Sequence, residues 1–281
     1  MLVFSHYQVK PLLAARRAGA ASAVTSTDLG LTTVEAALDG DGVTFPSGDR
    51  LTWAQAEAIA AAEVSCFRLA AGEIETIKVY SEENARAYTL MPTPRAPTML
   101  ISGLPMHRIK AVDPREDTRR KVKTLAPVAG RVLDTSTGLG YTAIALAQTA
   151  ERVTTIEFDP AVLELARHNP WSQPLFTNPK IEQRLGDAFD VVTELPDAAF
   201  TRILHDPPTF SLAGHLYSGE FYRELFRVLR PGGRLFHYIG NPASPSGART
   251  TKGVVRRLKE AGFERVAPRP ETFGVVAYRA S

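Results

Sequence analysis

The sequence predicts an α/β protein: a seven-stranded, mostly parallel sheet that ends in an antiparallel hairpin, preceded by a small α+β unit. Three observations predict it. After residue 130 short apolar runs alternate with helical patterns, the signature of strands joined by crossover helices. The first of these runs passes directly into a glycine turn, Gly138-Leu-Gly140. The last two, 263–267 and 273–279, are separated only by five residues that begin with the turn Pro268-Arg-Pro270, too short for a crossover, so they pair antiparallel.

A chain of 281 residues has room for a large and a small domain at roughly 100–200 residues per domain, and the sequence places them at 98–281 and 1–97. In the first, Gly40-Asp-Gly42 and Pro46-Ser-Gly-Asp49 mark turns, the alanine-rich run 51–62 a helix, and the alternation over 67–69 and 74–80 strands. The proline cluster Met91-Pro-Thr-Pro-Arg-Ala-Pro97 reads as the linker. A charged helix over 113–125 follows, with Pro114 in its first turn and Pro127 closing it. Strands are predicted at 131–133, 153–157, 181–185, 202–205 and 234–239, and helices at 142–149, 161–167, 220–229 and 252–261. The biased tract Asn241-Pro-Ala-Ser-Pro-Ser-Gly-Ala248 reads as a mobile loop.

Composition narrows the function classes. Hydrophobic residues at 44% and charged residues at 22% exclude a disordered chain. A single cysteine, Cys66, excludes an intrachain disulfide and a Cys-rich zinc site, and fits a reducing, cytoplasmic setting. No stretch approaches the roughly 20 apolar residues of a membrane span, and the first residues lack a secretory layout. Residues 101–281 hold 25 basic against 19 acidic residues, a surplus compatible with a polyanionic partner such as RNA. The run Arg108, Lys110, Arg115, Arg119, Arg120, Lys121 and Lys123, interrupted by Asp113, Glu116 and Asp117, reads equally as a solvated helix face or an RNA-binding stripe. Oligomeric state has no signature here.

The chemistry concentrates at the ends of the predicted strands. In Val132-Leu-Asp-Thr-Ser-Thr-Gly-Leu-Gly-Tyr-Thr-Ala-Ile144 a strand enters a glycine turn and then a helix, where Gly138 and Gly140 let backbone approach a ligand. The turn alone matches the dinucleotide pattern G-x-G-x-x-A. Asp134 just before it would oppose a pyrophosphate, yet suits a cationic amino-acid group. Glu157, at the end of the next strand, suits the hydroxyls of a ribose. Asp187, at the end of the third, suits an adenine amine or caps a helix. The fourth strand runs into His205-Asp-Pro-Pro-Thr-Phe210, where Pro207 and Pro208 stiffen the segment that carries Asp206. Asp206 and its neighbouring carbonyls can orient an amine, and Phe210 can stack on a planar substrate. Among the aromatics nearby, Tyr141, Tyr217 and Tyr222 are stacking candidates and Phe221 is a core candidate. His107, His205, His215 and His237 lack paired ligand spacing, so no metal is expected; His205 beside Asp206 is read as packing, a proton acceptor or a loop contact.

The series Asp134-x-Ser-x-Gly-x-Gly140, Glu157, Asp187 and Asp206-Pro-Pro-Thr-Phe210, with the closing hairpin, resembles the class I S-adenosylmethionine-dependent methyltransferases. The phrases SGLPMHRI, LDTSTGLGYTAI, ARHNPWS, HDPPTFSLAGHLYSGEFYRELFRVLRPGGRLFHYIGNP and GVVAYR resemble a mostly prokaryotic family of predicted methyltransferases over about residues 98–279. The resemblance implies a Rossmann-like sheet and S-adenosyl-L-methionine as cofactor. It places Asp134, Gly138 and Gly140 at the methionine part, with Tyr141 beside them, Glu157 at the ribose and Asp187 at the adenine. Ser136 stands where many relatives have glycine. The Asp-Pro-Pro-Phe type of segment is similar to that of enzymes that methylate nucleobase nitrogens, so the expected reaction is N-methylation of an RNA base in tRNA or rRNA, guanine favoured, with Asp206, Pro207, Pro208 and Phe210 at the reaction centre. A cytosine-C5 mechanism is excluded, since Cys66 is distant from these motifs. The alternatives are methylation of a protein or small amine, and aminopropyl transfer, against which the double proline speaks.

Overall fold

The alternation after residue 130 folds as one seven-stranded sheet. Its strands are β1 (Arg131–Asp134), β2 (Arg152–Glu157), β3 (Ile181–Leu185), β4 (Phe200–His205), β5 (Leu229–Tyr238), β6 (Arg265–Arg269) and β7 (Gly274–Tyr278). In the computed structural model, which describes residues 1–110 and 112–281, they lie in the order β3-β2-β1-β4-β5-β7-β6. The first five are parallel, whereas β7 runs antiparallel to both β5 and β6. This is the Rossmann-like sheet with an antiparallel end that the sequence predicts. Between β1 and β4 the order reverses direction, the topological switch point at whose carboxyl edge open α/β sheets bind ligands.

Burial accounts for the strands. All six residues of β4 are buried, and in β2 only Arg152 is exposed, as expected of strands covered on both faces. The helix Gly219–Val228 places Phe221, Tyr222, Leu225 and Val228 into the core of this sheet. Strand β5 begins at Leu229, earlier than the predicted 234, and its register with β4 shifts between Phe200 and Arg202. That irregularity accommodates Pro231-Gly-Gly233, which could not sit in a regular central ladder.

The chain forms two compact units, residues 1–115 with 161–174, and 116–160 with 175–281. The first is α+β, as expected: a three-stranded and two four-stranded antiparallel sheets with the helices His6–Arg17 and Trp53–Ala61. Its core includes Phe4, Val9, Leu12, Val43, Leu51 and Ile59. The helix His6–Arg17 carries a readable start, a capping box in which Ser5 and Gln8 satisfy each other's backbone amides. The proline-rich stretch read as a linker joins two paired strands, Arg86–Met91 and Thr98–Ile101, a connection in which prolines leave no ladder donor missing.

The tract read as a mobile loop is different as well. The helix Pro245–Glu260 starts inside it, with Pro245 in the first turn and the Ser244 hydroxyl accepting from the Gly247 amide at 3.0 Å. Gly247 has to be glycine, because a Cβ would sit 1.8 Å from the Asn241 carbonyl oxygen. Among the described residues no helix is long and apolar enough to cross a membrane.

Candidate active site

Asp134 closes β1 and is fully buried. Its Oδ2 accepts hydrogen bonds from the Thr142 hydroxyl at 2.8 Å and the Thr155 hydroxyl at 3.1 Å. Thr137 supports this arrangement with a 2.7 Å hydrogen bond to Thr155. The other oxygen, Oδ1, is buried and completes no hydrogen bond. Burial pushes the carboxyl up to about 7, and the nearby charge of Asp206 adds to this against the pull of the two threonines and the Ser136 amide. A buried carboxylate with an unsatisfied oxygen is costly, and a cation or donor that reached it would remove that cost.

Glu157 closes β2 and braces the glycine turn. Its Oε2 accepts from the Gly138 amide at 2.8 Å, and Oε1 from the amides of Phe158 at 3.0 Å and Asp159 at 3.1 Å. Burial pushes this carboxyl up to about 7 despite the three amides, and Asp159 contributes in the same direction. Gly140, at φ 78°, leads into the helix Tyr141–Leu146. A Cβ there would lie 2.7 Å from Leu175 Cδ2, so this glycine serves the turn and the packing of Leu175. Tyr141 is buried, and Ser136 is partly exposed.

Asp187 follows β3 and does two things. Its Oδ1 caps the helix Ala188–Thr193 through the Phe189 amide at 2.8 Å. It also meets His215 Nε2, at 3.2 Å from Oδ1 and 3.0 Å from Oδ2. Four apolar side chains remain exposed just past the strand ends: Phe158 after β2, Leu185 at the end of β3, and Phe210 and Leu212 after β4.

Asp206 lies one residue beyond β4, four-fifths buried. Its Oδ2 receives the ammonium of Lys121 at 2.7 Å, and the same ammonium stands 3.0 Å from Asp117 Oδ2. Lys121 Nζ also lies 4.4 Å from the ring centre of Tyr238, at the end of β5. Burial alone would push this lysine down, but Asp206 and Asp117 outweigh it and hold it above its ordinary value. Of the two prolines that follow, Pro207 is buried and Pro208 exposed. The Tyr217 hydroxyl donates to the Pro208 carbonyl at 3.0 Å and fixes the segment.

The histidines do not converge on one point. His107 bonds Thr98, and His215 bonds Asp187. His205 and His237 are fully buried, with ring centres 4.3 Å apart. The Leu216 carbonyl, 3.0 Å from His205 Nε2, fixes that nitrogen as the donor, so Nδ1 accepts from the Thr135 hydroxyl at 2.7 Å. Burial pushes His205 down to about 3, so it stays neutral and ties β1 to the segment 214–217. His237 bonds the Tyr222 hydroxyl at 2.8 Å, and burial lowers it well below its ordinary value. Among the described residues no group of three or more His, Cys, Asp or Glu side chains is placed to hold a metal ion.

The structure thus brings Asp134, Gly138 and Glu157 into one hydrogen-bonded strand-end cluster and couples Asp134 electrostatically to Asp206. It buries Tyr141, Tyr217, Phe221 and Tyr222, so that of the stacking candidates Phe210, 53% exposed, is the one open to a substrate. Within the basic run Arg119 and Arg120 bind Glu116 and Lys121 is buried in the site, while Lys110, Arg115 and Lys123 are exposed. The sequence reading missed Lys121, Asp117 and the threonines. Two central threonines in the buried strand Arg152–Glu157 were the available signal for Thr155.

The family described as a methyltransferase domain matches residues 133–237, which span β1 through most of β5. The uncharacterized protein MJ1233 of Methanocaldococcus jannaschii is 46% identical over 237 residues, covering 84% of this chain and 80% of that one. Polyamine aminopropyltransferase 2 of Streptomyces coelicolor is 35% identical over 124 residues, 42% of this chain but only 22% of that enzyme. Among solved structures, spermidine synthase in complex with the transition state analogue AdoDATO shares the fold with a TM-score of 0.62 at 19% identity, over 72% of this chain and 73% of that chain.

Proposed function

We propose a function from one premise: this chain belongs to the protein family of Methanocaldococcus jannaschii MJ1233 and carries a methyltransferase domain. It is an enzyme that binds an adenosyl sulfonium donor, S-adenosylmethionine or its decarboxylated form, and alkylates the nitrogen of a small amine. Aminopropyl transfer from the decarboxylated donor is the favoured reaction.

The observation that carries this reading is a charge imbalance at the switch point. Asp117 and Asp206 share a single ammonium, that of Lys121, while Asp134, coupled electrostatically to Asp206, keeps a buried Oδ1 that completes no hydrogen bond. A methionine carboxylate would add a further negative charge. A donor that has lost it brings an ammonium and a sulfonium, and both fit. Asp134 would hold the ammonium, Glu157 the ribose hydroxyls and Asp187 the adenine amine, with Phe158 and Leu185 beside the ring.

When bound, the sulfonium supplies a carbon that an amine nitrogen attacks while sulfur leaves as a neutral thioether. Asp206 prepares the amine: its carboxylate takes a proton from the incoming ammonium, which exposes the nitrogen lone pair. Lys121 occupies Oδ2 and leaves Oδ1 for that proton. The rigid segment Pro207-Pro208, fixed by Tyr217, keeps the carboxylate in place. Stiffening serves methyl and aminopropyl transfer alike, so the double proline does not separate them. Likeness to a polyamine aminopropyltransferase over part of the chain supports the same choice.

Methyl transfer is the second reading, favoured by the methyltransferase-domain match. An RNA base as acceptor finds no support in the site, since of the basic run Lys121 is buried between two carboxylates and Arg119 and Arg120 are engaged by Glu116. The two transfers leave different by-products. Incubation with each donor and a panel of diamines, followed by chromatography, is expected to yield 5′-methylthioadenosine. S-Adenosylhomocysteine as the only by-product would establish methyl transfer instead, and neither product with any amine would overturn the reading.

A further inference from the structure

We propose that Asp117, Lys121 and Asp206 work as a unit in which Lys121 is a positioning residue that keeps Asp206 in its carboxylate form between turnovers, while Asp117 holds Lys121 in place. This inference rests on the reading of Asp206 as proton acceptor and adds the residues that make that role repeatable. It starts from geometry. The helix Pro114–Lys123 projects Lys121 inward, 3% exposed, between two carboxylates at 2.7 Å and 3.0 Å. Three neighbouring residues on the same helix behave as ordinary surface charges, because Arg119 and Arg120 share Glu116 in solvent.

The buried lysine meets two carboxylates, and they differ. Asp117 is fully buried, one turn earlier on the helix that carries Lys121. Asp206 is on the sheet edge and part of it meets solvent. During turnover the proton passes from the acceptor ammonium to Asp206, and the Asp206 attraction for Lys121 then falls away. Asp117 retains its charge and keeps the ammonium where it is. The proton on Asp206 next leaves to water, driven off by the adjacent positive charge, and the starting carboxylate returns. Each cycle therefore releases one proton and leaves Lys121 protonated throughout.

The groups facing Lys121 agree with this. Tyr238 presents its ring from the end of β5, and Asp134 and Tyr217 both couple electrostatically to Asp206. No second ammonium or guanidinium makes a salt bridge to Asp206 among the described residues. Lys121 is thus the charge that balances Asp206.

The test compares Lys121→Met, Lys121→Arg and Asp117→Asn with the unsubstituted enzyme, by pH–rate profiles and by calorimetry of an adenosine thioether that does not react. Lys121→Met should move the acid limb of the profile to higher pH, because the positive charge that favours the carboxylate is gone. Its rate should recover in alkaline buffer, and thioether affinity should stay within about twofold of wild type, well under one tenfold step. Lys121→Arg should restore most of the profile, and Asp117→Asn should shift it in the same direction by less. A Lys121→Met enzyme that binds the thioether but keeps the wild-type profile, or is slowed equally at every pH, would overturn the proposal. So would failure of arginine to rescue. Asp206→Asn separates the two levels: if it leaves turnover intact the reading of Asp206 fails, whereas its loss of turnover beside an unshifted Lys121→Met profile removes the present inference alone.

Discussion

Two aspartates stand at neighbouring strand ends, and the chain treats them differently. Asp134 pairs in register with Leu204 on β4, only two residues before Asp206. Asp134 is wholly enclosed and receives neutral donors, two threonine hydroxyls and the Ser136 amide, and burial suppresses its acidity. Asp206 is partly open and meets a full positive charge. Hydroxyls orient a carboxylate but do not balance its charge, so the first is poised to capture a cation and the second is already balanced and able to exchange a proton. One residue type thus serves binding at one strand end and chemistry at the next.

Exchanging the two roles should break this contrast. The largest effect is expected for Asp206→Asn, which removes the proton acceptor: turnover should fall on the order of 10²–10⁴-fold, with donor affinity by calorimetry nearly unchanged. Asp134→Asn should do the reverse, weakening donor binding by roughly 1.5–3 kcal/mol, the scale of a hydrogen bond to a charged group. If both variants lost affinity equally, the division of labour proposed here would not hold.

Acidity sharpens the contrast further. Asp134 and Glu157 titrate near 7 in the folded chain, above their ordinary values of 3.8 and 4.5. Between those limits the folded state holds more protons than the unfolded state, so these groups stabilise the ligand-free protein most below about pH 4. That stability is lost as pH rises to about 7. The melting temperature should therefore fall from pH 5 to pH 7.5, and Asp134→Asn should flatten the decline. A cationic donor should bind more tightly as pH rises over the same interval, with proton release visible as a buffer-dependent calorimetric heat. The smallest effect is expected for Phe210→Ala: the acceptor KM rises severalfold while kcat is kept, because the exposed ring offers contact area away from the reacting atoms.

The sheet and its carboxyl edge were legible because the first, second and fourth strands are short runs rich in apolar residues and each of the first four leads into a conspicuous residue: Asp134, Glu157, Asp187 or the double proline. The glycine turn was legible for the same reason, though its second glycine answers to Leu175. Lys121 was not legible. The pairs Asp117 and Lys121, and Glu116 and Arg120, have the same four-residue spacing on one helix, yet one is buried and the other solvated. Nothing in the helix sequence says which face meets the sheet. The start of the helix Pro245–Glu260 was hidden by the Pro, Ser and Gly that also mark loops, and here they mark a first turn.

The tie between Tyr217 and the Pro208 carbonyl, together with that between His205 and the Leu216 carbonyl, has an entropic consequence. Both ends of the exposed segment carrying Phe210 and Leu212 are stapled to buried rings, so its span is short and its end-to-end distance already set. Ordering a residue costs roughly 1–2 kcal/mol in backbone freedom, and that cost scales with how many residues are loose. Between the two staples the Leu212 and Ala213 amides bond the Thr209 carbonyl, so little backbone freedom remains to be lost when an acceptor arrives. Lengthening the segment would weaken acceptor binding without touching a single contact residue.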